Sequence, residues 1–175
     1  MDVIFEETVM YRDSLKAIEA KAEEITDKVL AEILARAEGG YYSSAPEEAV
    51  SDRISQVIGD VQKRLESWLG RNEPKNLIFD RYLHLGAKRC KQCMPVEEIA
   101  AALLMIQREI SCAVSARTAA DHANTHDEPA YIIYYVNLIF AGIIQSVITG
   151  YWNEQTVIAR KRRWEKLLPK EALRI

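Results

Sequence analysis

The sequence lacks the short motifs that mark the common enzyme classes. It contains no glycine-rich phosphate loop, no Gly-x-Ser-x-Gly and no His-Glu-x-x-His. Glu-x-x-His pairs, which supply ligands in di-iron helical bundles, are missing as well. Acidic residues that stand side by side, such as Glu23 and Glu24, point in different directions around a helix and do not form a catalytic carboxylate pair. We therefore expect a protein that is not an enzyme.

An excess of charge of one sign is also missing. The 23 basic and 26 acidic residues leave a net charge of −3, which creates no global field that favours nucleic acid or an anionic membrane. We interpret the local basic cluster, Arg160 to Arg163, as the solvated end of a helix. The first eight residues are partly acidic and do not resemble a signal peptide, so we expect a cytoplasmic protein.

Cysteine is scarce, and alternating strand patterns are absent. Three cysteines are an odd number in a chain long enough to bury its own core, so we expect reduced thiols and no disulfide. No alternating apolar segment is bounded by turn residues, which argues against a sheet. The sequence therefore predicts an all-α protein.

Four of the five prolines stand where a helix can begin, because a missing N–H costs nothing there. Apolar residues between the prolines recur at helical spacing. The pattern predicts one domain over residues 1–175 that forms a five-helix bundle with a long last helix. The predicted helices are Leu15 to Ile33, Val50 to Trp68, Pro74 to Lys91, Pro95 to Ile110 and Pro129 to Leu168.

The uncharged run from Ala130 to Asn153 fits two environments. It is long enough to cross a bilayer, and aromatic residues lie near both of its ends. Polar residues inside the run, such as Asn137 and Gln145, would need partners within lipid. We interpret the run as a central helix covered on all sides, with a single-pass membrane protein as an alternative.

Two features of the last helix suggest an interface. Residues 153–168 form a charged extension with a narrow apolar stripe, Trp164, Leu167 and Leu168, which suits a second copy of the chain, a separate protein or the chain's own bundle. Gly142, Ser146 and Gly150 recur every four residues and leave a shallow lane for another helix. That lane fits either a dimer seam or a tight crossing inside one bundle.

Cysteines and histidines supply candidate metal ligands, although no cofactor is favoured. Cys90, Cys93, His122 and His126 are ligand types that suit zinc, but 28 residues separate the two pairs. The alternative is that the cysteines are half-buried at a helix junction and the histidines belong to a polar turn. His84 could ligate a haem iron or satisfy a hydrogen bond near the core.

The stretch from Phe79 to Ile110, FDRYLHLGAKRCKQCMPVEEIAAALLMIQREI, resembles the N-terminal sensor domain of RsbT co-antagonist proteins of the RsbRD type. The likeness rests on the leucine-glycine step at Leu85, the basic turn at Lys88 and Arg89, and the helix start at Pro95. The resemblance implies an all-helical, globin-like or bundle-like, dimeric sensor domain of bacterial stress signalling. In such proteins the last helix leads into an output domain.

These observations together predict a non-enzymatic helical sensor or regulatory module that acts through dimerisation or a partner protein. A ligand in the bundle would shift the last helix, provided that the two positions of that helix differ in ligand affinity. Candidate pocket residues are His84, Tyr82 and Tyr134. A metal- or haem-binding helical protein is the alternative.

Overall fold

The computed structural model describes residues 14–36, 40, 42, 45–69, 77–120 and 128–167. Every element longer than one turn in these ranges is an α-helix, so the predicted all-α fold is confirmed. The five long helices are α1 (Ala22–Arg36), α2 (Glu47–Leu69), α3 (Leu77–Lys91), α4 (Val96–Ala120) and α5 (Glu128–Leu167). A further helical stretch over residues 14–20 precedes α1.

The predicted helix starts agree with the structure to within a few residues. Pro46 and Pro95 stand immediately before α2 and α4, and acidic residues follow each of them in the first helical turn. The first predicted helix differs, because a turn at Lys21 divides it in two. The Lys21 N–H lies 3.2 Å from the carbonyl oxygen of Ala17 and 3.3 Å from that of Ile18. The apolar spacing continues through this turn and therefore does not reveal it.

Helices α3 and α5 run parallel and form the closest packed pair. Near the start of α3 the Phe79 ring lies against Gly142, and at its end Lys91 pairs with Glu154 at 3.4 Å. Helix α4 runs antiparallel to α5. Burial raises the pKa of Tyr151 in the second half of α5, and Glu97, near the start of α4, is close enough to raise it further. Gln107, further along α4, donates a 2.7 Å hydrogen bond to Asn137 in the first half of α5. Helices α1, α2 and α4 complete the bundle.

The apolar core involves all five helices, and α5 contributes one face to it. Residues of that face are fully buried: Ile132, Val136, Ile139, Phe140, Ile143 and Val147. The opposite side of the same helix is exposed at Tyr134, Leu138 and Trp152. The uncharged run is thus a half-buried helix and not one covered on all sides. By length and apolar composition alone, two segments could span a membrane, Val96–Ala116 and Pro129–Trp164.

Candidate functional site

A cavity of about 250 Å³ lies between α1, α2, α3 and α4. Its lining is mainly aliphatic, with Ile33 from α1, Val50, Ile54 and Val57 from α2, and Leu103 and Ile106 from α4. Tyr42 and Pro46, from the connection between α1 and α2, also line it. A concave apolar space with a few polar groups is the usual form of a small-molecule site.

The cavity arises from helical spacing of aliphatic residues on two facing helices. Val50, Ile54 and Val57 stand four and three residues apart on α2, so their side chains share one face. Ile99, Leu103 and Ile106 repeat this spacing on α4. Small side chains at Ala49 and Ala102 also line the space, and they leave the gap between the helices partly unfilled.

Two arginines supply the positive charge of the cavity. Arg53 of α2 and Arg89 of α3 both line it. Arg53 donates a 2.6 Å hydrogen bond to Gln56, and Arg89 donates a 2.8 Å bond to Gln92, so each bond goes to a neutral amide oxygen. No aspartate or glutamate is among the lining residues of the described chain. The described lining therefore carries two basic side chains and no acidic one.

None of the three pocket residues predicted from the sequence lines this cavity. Tyr82 is buried in the core, where its hydroxyl donates a 2.9 Å hydrogen bond to Asp60. His84 and Tyr134 are exposed. The side chains of these three residues are of types that can bind a ligand, but their positions on the helices place one in the core and two at the surface. The cavity therefore does not support a ligand pocket formed by Tyr82, His84 and Tyr134, and such a pocket stays a prediction.

Tyr82 belongs to a buried polar cluster between α2 and α3. Asp60 accepts its hydrogen bond and also pairs with Arg81. Burial, followed by the negative charge of Asp60, raises the pKa of Tyr82. The neutral phenol donates to a carboxylate that is itself compensated by a cation. This arrangement fixes the register of α2 against α3 and offers no reactive group.

The Cys-x-x-Cys pair forms the end of α3. The N–H of Cys93 bonds to the carbonyl of Cys90 at 3.0 Å, and the N–H of Met94 bonds to that of Arg89 at 3.1 Å. These two bonds define a Schellman motif, in which Cys93 takes the left-handed position with φ of 56°. Cys90 is buried and Cys93 is exposed. Burial raises the pKa of the Cys90 thiol, which disfavours a reactive thiolate.

The structure brings no metal site together in the part of the chain that it describes. Among those residues no group of three or more histidine, cysteine, aspartate or glutamate side chains could hold an ion. His122 and His126 lie outside the described residues. A zinc site on Cys90, Cys93 and these histidines stays a prediction.

Seven residues, all aliphatic or aromatic except Gln145, form a stripe on the exposed side of α5, which we call the outer stripe. They alternate three and four residues apart: Tyr131, Tyr134, Leu138, Ala141, Gln145, Ile148 and Trp152. Six are exposed and Ile148 is half-buried. At 100° per residue the stripe faces away from the buried face of α5. This spacing is that of a coiled-coil seam.

Aromatic packing holds the first turns of the outer stripe in place. The Tyr135 ring meets Trp68 of α2 at a centroid distance of 4.6 Å. On its other side it contacts Tyr131 at 4.8 Å and Tyr134 at 5.6 Å. The Tyr135 hydroxyl also donates a 2.9 Å hydrogen bond to that of Tyr131. Two exposed tyrosines are therefore part of an ordered surface.

The structure places the other predicted interface residues on different sides of α5. Gly142 and Gly150 face α3 of the same chain, so their lane forms a crossing inside the bundle, and the Ser146 hydroxyl donates to the Gly142 carbonyl. Trp164 is 66% exposed near the end of α5. The Leu167 side chain and Leu168 lie outside the described residues.

Sequence reasoning missed the cavity and most of the outer stripe. The three-four alternation of the stripe was readable within the uncharged run, but the polar residue Gln145 and the adjoining core residues obscured it. The cavity had no readable pattern, because its lining residues come from four helices and the connection between two of them. Comparison with protein-family models, with curated proteins and with solved structures gives no match to this chain.

Proposed function

We propose that this protein is a non-enzymatic helical regulatory module that pairs with a second copy of itself through the outer stripe of α5. The carrying observation is the stripe itself, a mainly apolar row with coiled-coil spacing on the exposed side of a 40-residue helix. Contiguous exposed apolar surfaces on soluble proteins mark interaction sites. The RsbRD-like resemblance, which implies a dimeric sensor domain, supports the same proposal.

The spacing favours a second copy as the occupant. A seam of alternating three and four residues accepts a helix with the same seam, and a two-fold pair places the same stripe on both sides. Trp152 and the two exposed tyrosines are residue types enriched in the centres of interfaces. An antiparallel pair would also keep the two clusters Arg160 to Arg163 apart, which avoids repulsion between like charges.

Helix α3 connects the cavity to this interface. Leu85 and Arg89 line the cavity, while Gly86, on the same helix, lies against Val147 and Tyr151 of α5. A ligand that moves α3 would therefore move α5 with it. Such a ligand regulates pairing only if it binds the paired and unpaired states with different affinity.

Sedimentation velocity on charge variants tests the proposed pairing. We expect Leu138→Glu to convert a dimer to a monomer, since a buried unpaired carboxylate is costly in an apolar seam. Asn153→Glu adds the same charge at an exposed position of α5 outside the stripe and should leave the dimer intact. Equal association of the two variants would contradict the role of the stripe. Loss of association only in Trp164→Glu would move the interface to the charged extension.

A single-pass membrane protein is the second candidate function class. The apolar length of α5 and its exposed outer stripe favour it, since lipid could cover the stripe in place of a second chain. Expression followed by fractionation distinguishes the two proposals. Extraction of the chain only by detergent supports the membrane assignment, whereas a stable species in plain buffer supports pairing.

A further inference from the structure

We propose that the charged extension of α5 docks on the surface of an anionic membrane, with Val157 and Trp164 among the lipid headgroups and its basic side chains next to the lipid charges. This inference goes beyond the proposed pairing, because it concerns a different part of α5 and a different partner. The helix would lie on the membrane and would not cross it.

The charged extension leaves the bundle after Ile158. That side chain is half-buried, and the six described side chains that follow it, from Ala159 to Trp164, are all exposed. At a rise of about 1.5 Å per residue, these six residues form about 9 Å of helix. The rest of the described chain does not cover this segment, so a partner can approach it directly.

Two apolar side chains stand on one side of the charged extension. Val157 and Trp164 are seven residues apart, which places them two turns apart on nearly the same face of the helix. They are 56% and 66% exposed. Tryptophan is enriched where a membrane meets water, because its ring is apolar and its N–H can still bond to water or headgroups.

Cations flank this apolar face on both sides. At about 100° per residue, Arg160 lies about 60° to one side of Val157 and Lys161 about 40° to the other. Arg162 and Arg163 add charge around the same turn. None of the four basic side chains has an ion-pair partner in the described ranges, whereas cations elsewhere in the bundle do have such partners.

This combination of charge and apolar surface favours an anionic lipid surface. Clusters of four or more basic residues on an amphipathic helix attract anionic lipids, and their stems lie along apolar surface while the charges reach the headgroups. The net charge of −3 does not oppose this, because salt limits the reach of charges to about 8 Å in physiological buffer. A nucleic acid backbone would attract the cations, but it offers Val157 and Trp164 no apolar layer.

Co-sedimentation of the full chain with lipid vesicles tests this inference. The vesicles contain phosphatidylcholine and phosphatidylserine in a ratio of about two to one, and vesicles of pure phosphatidylcholine are the lipid control. The charge variant is Arg160→Gln with Lys161→Gln. Its matched control is Lys28→Gln with Lys63→Gln, which removes two exposed cations outside α5.

A second pair of variants tests the apolar face. Trp164→Ser removes the exposed indole, and Leu104→Ser removes an exposed apolar side chain of α4 as its control. Both positions are at the surface, so circular dichroism should show the same helical content for the two variants and the wild type.

We expect the wild type to bind the anionic vesicles and not the neutral ones. The charge variant should weaken vesicle binding at least tenfold, since each cation near an anionic surface contributes about fivefold. Trp164→Ser should also weaken binding, whereas both controls should bind like the wild type. Sodium chloride at about 0.5 M should release the protein, because it screens the attraction.

Four results would overturn the inference. They are equal binding to both kinds of vesicle, equal binding by a variant and its control, tighter binding to a DNA duplex than to the anionic vesicles, and vesicle binding that salt does not release. The last result would instead indicate a membrane span through α5. A wild type that forms dimers but binds no anionic vesicles refutes the membrane docking alone.

Discussion

Gly150 of α5 lies directly against the main chain of Leu83 in α3. A β-carbon at Gly150 would stand 2.7 Å from the Leu83 carbonyl carbon and closer still to its oxygen. Gly86 mirrors this contact from α3, where a β-carbon would meet the carbonyl carbon of Val147 at 2.8 Å. Two glycines on facing helices thus let the backbones touch, and this contact ties the cavity helix α3 to the helix that carries the outer stripe.

We predict that Gly150→Ala destabilises the fold by at least about 2 kcal/mol, because the new methyl group overlaps backbone atoms that cannot rotate away. Chemical denaturation followed by circular dichroism measures the change. Gly59→Ala is the matched control, since apart from the adjoining backbone of α2 itself no atom lies within 4 Å of a β-carbon at that position.

The control should stabilise the protein by about 0.5–1 kcal/mol, because alanine is the better helix former. A neutral or stabilising effect of Gly150→Ala would show that α3 and α5 are not in backbone contact.

The buried phenol of Tyr82 predicts a loss of stability in alkaline solution. Its pKa is raised in the folded protein, so the neutral form contributes stability that is fully present below pH 10.0 and is lost as the pH rises above that value. Tyr82→Phe should cost about 1.5–3 kcal/mol at pH 7, as the hydrogen bond to the charged Asp60 is removed. Unfolding in urea at pH 7 and pH 10.5 measures both effects.

Ser115→Ala provides the control for Tyr82, because it removes an exposed hydroxyl that bonds within α4, and surface changes typically stay within about 0.5 kcal/mol. Equal decreases in the free energy of unfolding for the two variants at pH 7 would show that the buried hydrogen bond of Tyr82 does not stabilise the fold.

The left-handed residue at the end of α3 predicts a stabilising substitution. Cys93 has a φ of 56°, a conformation that costs a residue with a β-carbon about 1–2 kcal/mol. We expect Cys93→Gly to stabilise the fold by about 0.5–1 kcal/mol, since glycine loses more entropy on folding and cancels part of this gain. Cys112→Gly, at an exposed position inside α4, should destabilise by a similar amount. Thermal denaturation should show a higher melting temperature for Cys93→Gly and a lower one for Cys112→Gly. A change of the same sign in both variants would contradict the left-handed conformation of Cys93.

The ion pair between Glu32 of α1 and Arg108 of α4 predicts an acid-dependent effect. Arg108 donates to Glu32 at 2.5 Å and lowers the pKa of Glu32 below its ordinary value of 4.5. The ionised carboxylate therefore contributes stability that is present above pH 4.5 and is lost as the pH falls through the folded pKa. We expect Arg108→Gln to raise the pKa of Glu32 in an NMR titration. Lys63→Gln, another exposed cation, should leave that pKa unchanged.

The helices were predictable because local chemistry determines them. Proline before α2 and α4, acidic first turns and helical spacing of aliphatic residues all act within one or two turns of the chain. The turn at Lys21 was not predictable, because the apolar spacing runs through it unchanged. The glycine lane on α5 predicted a close approach of another helix, either in a dimer or inside the bundle, and only the structure shows that α3 of the same chain lies there.

The candidate site could not be predicted from any single segment, because its lining residues come from four helices and the connection between two of them. Arg53 and Arg89 lie 36 positions apart and read separately as ordinary surface cations, although folding places both at one cavity. Conversely, Tyr82 and His84 are neighbours in sequence, yet one is buried beside Asp60 and the other is exposed. Choosing pocket residues by side-chain type alone therefore grouped residues that the helix places in different environments.

Native mass spectrometry of the full chain, prepared without detergent, tests the proposed pairing most directly. The account predicts a species of twice the 19.9 kDa chain mass, which Leu138→Glu reduces to a single chain. A single-chain mass for the wild type across the micromolar range would contradict it. In that case no second copy of the chain would cover the outer stripe.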